Sequence, residues 1–308
     1  MHLQPAPANA GPAQSPTVAS APSPWIARPR YRRVRGGEAR LTVALPVYNS
    51  RDIVWLALEG LCRQEDVDFG WELLVAEEDD PPPFGWRNFD EWFERLRAAG
   101  CVRLRYVACG RMPLARKWRL LARSALLSSR ALLLHGADDY SPPRRLAQTL
   151  AAVESGADWV QCKRGRFYNI FRRQLLDYDW DRRATFHPCG VNMAARTELA
   201  RRLPDTAQWK FCDHWFYSSC RAAKPELEVR WLDGDDWTRG LFTDGLNNIS
   251  DRDRWFGSDE PAAPFARCAL RLDHILPSDV AAKLSALAER VPPRERATLL
   301  AFTGRKRS

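Results

Sequence analysis

Two acidic clusters follow directly on apolar runs in this 308-residue chain. Glu77-Glu78-Asp79-Asp80 closes WELLVAEEDD, and Asp138-Asp139 closes ALLLHGADD. A further carboxylate, Asp213, opens DHWFYSSCRAA (213–223). Carboxylate oxygens are hard donors that suit a divalent cation. One placed beside a hydroxyl can also take its proton. Pro46-Val47-Tyr48-Asn49 closes another apolar run, and Arg116, Lys117, Arg119 and Arg123 share a helix-like stretch. Guanidinium groups pair bidentately with phosphate. Each group also has a plainer reading. Asp138 or Asp139 could cap a helix ahead of Pro142, Asp213 could be an N-cap, Glu77 and Glu78 could form a solvated turn, and the basic residues a solvated face.

The elements that must position these groups alternate in type. LTVALPVY (41–48), WELLVAEED (71–79), VRLRYVAC (102–109) and ALLLHGADD (131–139) read as buried strands. Between and after them, 50–64, 89–100, 113–129 and 142–156 read as helices. Ser50 is the expected N-cap of the first helix, Gly100 the C-cap of the second, and Pro residues open the last two. Four strand–helix alternations predict an α/β fold with a parallel sheet and helices on both faces. Ligands of such sheets bind beyond the carboxyl ends of the strands, which is where the acidic clusters fall. Carboxylates on that edge of a basic protein point to a bound cation.

Composition narrows the class. Apolar residues make up 45% of the chain, with 13 Trp and 13 Phe, which excludes a wholly disordered protein. No run reaches the roughly 18 apolar residues of a membrane span. The eight cysteines form no CxxC pair, so a zinc-finger or thioredoxin-like reading lacks its usual support. Scattered thiols and the absence of a secretory pattern at the start favour the cytoplasm. The net charge of +9 is unevenly placed, because residues 28–40 hold six Arg against one Glu. Residues 1–40 are expected to be a disordered arm, Pro-rich and then Arg-rich.

The motifs together resemble family 2 glycosyltransferases with the GT-A fold. LTVALPVYNS, WELLVAEEDD, LLLHGADDYSPPRRL, RMPLARK (111–117), HPCGVNMAARTELARRL (187–203) and FCDHWF (211–216) carry the likeness, over roughly residues 41–235. The resemblance implies a Rossmann-like, mostly parallel sheet with a C-terminal helical and loop extension. It implies an inverting transfer from a nucleotide-diphospho-sugar, a UDP-sugar first, with Mn2+ or Mg2+ neutralising the diphosphate. Asp138 is then the metal ligand, with Asp139 as second ligand or support. Glu77 accepts from the nucleotide base with Glu78 as its neighbour, and Pro46, Tyr48 and Asn49 line the base or ribose pocket. Arg116 contacts the diphosphate or ribose, and Asp213 is the catalytic base. His187 and His214 are weaker candidates for the metal shell. The chain departs from the family pattern at Gly136, which stands where the first Asp of Asp-x-Asp is usual. It departs again at Glu77-Glu78 in place of Asp-Asp, and at Cys212 in place of Glu.

The resemblance divides the chain into a nucleotide-sugar-binding half (41–140), an acceptor-side half (141–260) and an extension (261–308). Within the second, 233–256 reads as an active-site loop. There Asp235, Asp236, Asn247 and Asn248 could meet sugar hydroxyls, and Trp237 and Trp255 could stack. Nucleic acid is an expected partner of the Arg28–Arg40 arm, through its phosphates. That makes a hydroxymethylated base in DNA one candidate acceptor. Polysaccharide or lipid-linked glycan acceptors are the alternative, as is a GT-A-like binding protein without catalysis. A nucleotidyltransferase would want a Gly-rich phosphate loop after the first strand, which LPVYNSRD does not supply.

Overall fold

The computed structural model describes residues 28–34, 37–79, 83–179, 188, 193–233, 241–244 and 265–291. Its first half alternates β1 (Arg28–Val34), β2 (Ala39–Val47), α1 (Val54–Cys62), β3 (Gly70–Glu78), α2 (Trp86–Ala98), β4 (Cys101–Cys109), α3 (Leu114–Ser124), β5 (Ala131–Leu134) and α4 (Arg145–Glu154). There follow β6 (Trp159–Cys162), β7 (Arg164–Asn169), β8 (Gln174–Asp179), β9 (Met193–Arg196), α5 (Thr197–Ala200), α6 (Cys212–Ala223), β10 (Val229–Leu232), β11 (Phe242–Asp244), β12 (Phe265–Arg267) and α7 (Ser278–Arg290).

Eight strands form the main sheet in the order β1-β4-β3-β2-β5-β9-β6-β10. The expected parallel α/β sheet is there: β4, β3, β2 and β5 run parallel, while β1 and β9 run antiparallel to their neighbours. Strands buried on both faces read as continuous apolar runs, and alternate residues serve opposite cores. Leu41, Val43, Leu45 and Val47 of β2 pack with α1, α2 and α4. Ala44 of β2 packs on the other face with Leu74, Ala76 and the buried residues of α3 and α6. Chain order reverses between β2 and β5, because β3 and β4 build to one side of β2 and β5 to the other. Crevices at such a reversal are where open α/β sheets bind ligands.

A second sheet, β11-β7-β8-β12, was not legible as strands in the sequence. Its central hairpin turns through Arg173 at φ 52°, without the Gly or Asn that usually marks such a turn. The sheet and α7 share a third apolar cluster with Ile53, Trp55 and Leu56. An ion-pair chain ties α7 to the main domain. Glu59 meets Arg95 at 2.7 Å and Arg63 at 3.1 Å, and Arg63 meets Asp279 at 2.8 Å.

Three expectations need correction. Arg28–Val34 is not part of a disordered arm, because its backbone pairs antiparallel with β4 from Arg28 opposite Ala108 to Val34 opposite Arg103. The last strand of the first half stops at Leu134, not 139, since the backbone leaves the ladder to form the Gly136–Asp139 turn. Ser50 does not cap α1 through its side chain. Its carbonyl accepts from the Ile53 and Val54 N–H groups at 3.0 and 2.8 Å, and its hydroxyl donates to the Tyr48 carbonyl at 2.9 Å. Gly100 does end α2, at φ +88°, with its N–H donating to Arg97 at 3.0 Å.

One close approach fixes how α1 meets the loop after β5. A Cβ on Gly60 would stand 3.2 Å from Ser141 Cβ and inside contact distance of the Ser141 backbone nitrogen. Backbone cannot step aside as a side-chain end can. Gly60→Ala should therefore cost about 1–3 kcal/mol, the usual range for overpacking. That corresponds to a drop of roughly 2–8 °C in thermal midpoint. An unchanged midpoint by differential scanning fluorimetry would contradict the packing described.

Candidate functional site

The predicted site residues divide into those the fold consumes and those it presents. Glu77 is consumed. Its carboxylate accepts the Phe84 N–H at 2.7 Å, the Gly85 N–H at 2.9 Å and the Tyr106 hydroxyl at 2.8 Å. Burial first, and the Glu77 charge second, push the Tyr106 hydroxyl far above its ordinary pKa, so it stays a donor. Glu77 thus folds the 83–85 turn back on the end of β3.

Glu78 is the carboxylate with spare capacity. One oxygen pairs with Lys117 Nζ at 2.7 Å, and both side chains are almost wholly buried. The other oxygen, Oε2, is buried without a hydrogen-bond partner. Lys117 also donates to the Val47 carbonyl at 3.1 Å and stands 5.7 Å from the centre of the Tyr48 ring. A buried unsatisfied carboxylate oxygen is costly, and a donor group on a ligand would satisfy it.

Tyr48 is flanked by a second cation. The Arg111 guanidinium lies 6.0 Å from the Tyr48 ring and 5.8 Å from the Trp209 ring. It bridges the end of β2 to the loop that leads into α6. The Gln208 carbonyl in that loop accepts from the Ala115 N–H at 3.3 Å, at the start of α3. Pro46 ends β2 half-buried, and Asn49 takes a left-handed backbone at φ 48° to turn the chain out of the sheet. Asn tolerates that region better than most residues.

The motif helix delivers a different cation from the one expected. Arg116 is directed to the surface, pairing with Asp205 at 3.1 Å, while its neighbour Lys117 is directed into the sheet. A helical signature could have shown this, since buried positions 115, 118, 121 and 122 place 117 nearer the apolar face than 116.

Beyond β5, Asp138 and Asp139 converge. A Cβ placed on Gly136 would lie 3.2 Å from Asp138 Oδ1 and 2.8 Å from Asp139 Cγ. Asp139 is buried and accepts from the Thr243 N–H at 3.2 Å, and Thr243 Oγ1 donates to the Asp138 carbonyl at 2.6 Å. Asp138 is only half-buried. No third carboxylate, His or Cys joins them into a metal-sized cluster among the described residues. The expected acidic patch is therefore narrower than the sequence suggested, because Glu77 is spent within the protein and one oxygen of Glu78 is held by Lys117.

Asp213 is not the N-cap of α6. Phe211 is, at φ 57°, which puts Asp213 in the first turn with Oδ1 accepting from the His214 N–H at 3.0 Å. Trp209 and Phe211 are exposed beside it. His187, Asp235, Asp236, Trp237, Asn247, Asn248 and Trp255 lie outside the described residues. Two clefts, of about 390 and 460 Å³, lie elsewhere, and none of the predicted site residues lines them. No helix among the described residues is long and apolar enough to cross a membrane.

His135, which sequence reading passed over, underlies the Asp138–Asp139 turn. Its Nδ1 is 2.8 Å from the Gly136 carbonyl oxygen, while Nε2 is buried without a partner. Burial, then the nearby Arg145 charge, pull its pKa down to about 3 against an ordinary 6.5. It is therefore neutral, with the Nδ1 proton donated to Gly136. Arg145 in turn donates to the Leu134 carbonyl at 2.9 Å, closing the end of β5.

No family model matches the chain, and no curated protein matches it in sequence. Among solved structures it is similar to S. aureus TarS at 14% identity and a TM-score of 0.51, over 66% of this chain and 36% of that one. It is also similar to S. aureus TarS 1–349 in complex with UDP, at 14% identity and a TM-score of 0.51, over 84% of this chain and 68% of that one. The chain thus spans 36% of the length of the first of these TarS chains. The likeness is one of fold, and the fold is the GT-A fold of nucleotide-sugar transferases.

The neutral His135 makes a pH prediction. Its folded pKa of about 3 lies below the 6.5 of the unfolded chain, so the unfolded state takes up the proton first. Its contribution to stability is full above about pH 7 and is lost as pH falls from 6.5 toward 3. Urea midpoints should drop more between pH 7 and pH 5 in the unaltered protein than in His135→Gln. Equal drops would mean His135 is not held neutral.

Proposed function

We propose that this chain is an inverting glycosyltransferase, moving a sugar from a nucleoside-diphosphate donor to a hydroxyl acceptor. The observation that carries the reading is the Asp138–Asp139 turn at the β2/β5 reversal, with both carboxylates close to one point above Gly136. Across the reversal stand Glu78, Lys117 and Tyr48. An acidic pair opposite an aromatic ring and a buried cation suits a ligand with a ring at one end and phosphates at the other.

The roles follow from chemistry. Tyr48 stacks on the nucleotide base, and Glu78 Oε2 takes over from Glu77 as the acceptor for a base or ribose donor. Arg111 lies exposed at the mouth and meets the diphosphate, a place the sequence assigned to Arg116. Uracil offers both a flat face and an N–H, and a UDP-sugar is accordingly the first donor to try. The TarS complex with UDP supports that choice.

A divalent cation fits the residues present. Two carboxylates with the remaining places left to phosphate oxygens and water is a ligand set that Mg2+ accepts. Asp138 would hold the ion with Asp139 beside it, and Mn2+ or Mg2+ there would neutralise charge on the departing diphosphate. Asp213 accepts the proton of the acceptor hydroxyl as its oxygen bonds to the anomeric carbon, and the diphosphate leaves with the electron pair.

The Arg-rich sequence does not single out a nucleic acid. Arg28–Val34 pairs with β4 in the main sheet, so its backbone is part of a ladder and not of a free arm. A hydroxymethylated base in DNA is therefore one arm of an acceptor panel beside glycans and polyprenyl-linked glycans, read by mass spectrometry.

Asp138→Ala should abolish transfer and the Mn2+-dependent part of UDP binding, measured by titration calorimetry with and without Mn2+. Unchanged Mn2+-dependent affinity would sink the assignment. Asp213→Asn should leave UDP binding intact and lower turnover by at least about 10²-fold, the lower end expected for general-base loss. Near-normal turnover would place the base elsewhere.

A further inference from the structure

The space above Gly136 is filled from elsewhere in the chain. A Cβ at that position would come within 2.8 Å of Asp139 Cγ and closer still to Oδ2, nearer than real Cβ contacts come. The Asp139 carboxylate can sit there because residue 136 has no side chain. It is kept there by Thr243, whose N–H donates to Asp139 Oδ1 at 3.2 Å. The same residue grips the preceding one, with Oγ1 donating to the Asp138 carbonyl at 2.6 Å. One position further on, the two segments pair again. The Tyr140 N–H donates to the Leu241 carbonyl at 2.7 Å, and the Leu241 N–H donates back at 3.0 Å.

Thr243 is the middle residue of β11, which on its other side pairs with β7, Thr243 opposite Tyr168. Two hydrogen bonds from Thr243 therefore tie the second sheet to the acidic turn of the first, and the Tyr140–Leu241 pair beside them adds two more between the flanking segments. The Asp139 N–H approaches the Gly136 carbonyl at 3.4 Å, a long bond for a tight turn. The grip from β11 supplies what that bond lacks.

We propose that Gly136, Asp139 and Thr243 act as one positioning unit, through which the second sheet sets the direction of the Asp138–Asp139 carboxylates at the ligand edge. Gly136 and Thr243 are positioning residues: neither offers a charged group, and both act through the two aspartates. The proposal rests on the cation reading above for its consequence, though not for its geometry. A side chain at residue 136 is costly because Thr243 keeps the Asp139 carboxylate from stepping aside, and the cost is conditional on residue 139.

A double-mutant cycle on the full chain decides it. Gly136→Ala should lower the thermal midpoint by roughly 2–8 °C. In an Asp139→Ala background the same change should cost little, because the carboxylate it strikes is gone. Non-additivity is the signature of residues in contact. Equal losses in the two backgrounds overturn the proposal. Should Gly136→Ala fail to fold, recovery of folded protein in Gly136→Ala/Asp139→Ala supports it, and failure of that pair overturns it.

A second readout separates direction from mere stability. Mn2+ binding without nucleotide, followed by electron paramagnetic resonance at a temperature where every variant is folded, should weaken at least tenfold in Gly136→Ala. It should weaken severalfold in Thr243→Val, which keeps the backbone donor and loses the hydroxyl. Unchanged Mn2+ affinity in both variants overturns the positioning role. If the unaltered chain binds no Mn2+, the cation reading of the proposed function falls, and the stability cycle still decides the unit.

Discussion

The carboxyl edge of the main sheet is organised around one buried ion pair. Lys117 and Glu78 meet at 2.7 Å with almost no exposure to water. Taking two ions out of water costs several kcal/mol each, and only close pairing with further hydrogen bonds offsets it. Lys117 finds that in Glu78 and in the Val47 carbonyl. The pair thereby binds α3 to the ends of both β2 and β3, the two strands on one side of the reversal. Losing one partner would leave a bare buried charge, at about 3–5 kcal/mol. Tyr48 takes its place against the same ammonium group.

That pair also sorts the acidic residues. Four consecutive carboxylates at the end of β3 look alike, yet the fold treats the two buried ones, Glu77 and Glu78, oppositely. Glu77 has three donors from the protein and serves the 83–85 turn. Glu78 has one oxygen in an ion pair and the other unsatisfied. On the far side of the reversal, Asp138 and Asp139 converge over Gly136, which has no side chain to fill that space, and the neutral ring of His135 holds the Gly136 carbonyl. A charged imidazole would bring a further cation to a place already holding Arg145, which is one reason it stays neutral.

The two sheets have different debts to water. The main sheet is covered by helices on both faces, which leaves its edges as the exposed backbone. Arg28–Val34 takes the β4 edge, so residues that look like a tail by composition are part of the ladder. The second sheet is small, and three- and six-residue strands gain little alone. It is held by the third apolar cluster with α7 and by the staple at Tyr140 and Thr243.

The order of strands and helices from residue 39 to 154 was written in the sequence, because strands buried on both faces must be continuously apolar and the helices that cover them must turn an apolar face inward. The placing of Tyr48, Glu78, Asp138 and Asp139 at one edge followed from that alternation alone, since parallel strands put all their carboxyl ends on one side. What composition could not convey was partnership over distance. Glu77 and Glu78 are chemically alike neighbours that point to opposite faces of a strand, and only the packed sheet shows which meets Tyr106 and which meets Lys117. Arg116 and Lys117 are separated in the same way by the turn of a helix. Arg28–Val34 has the composition of a tail and becomes a strand because β4 offers an open edge. Thr243 stands 104 residues from Asp139, with no motif to join them, and their contact exists only because a second sheet folds back against the first.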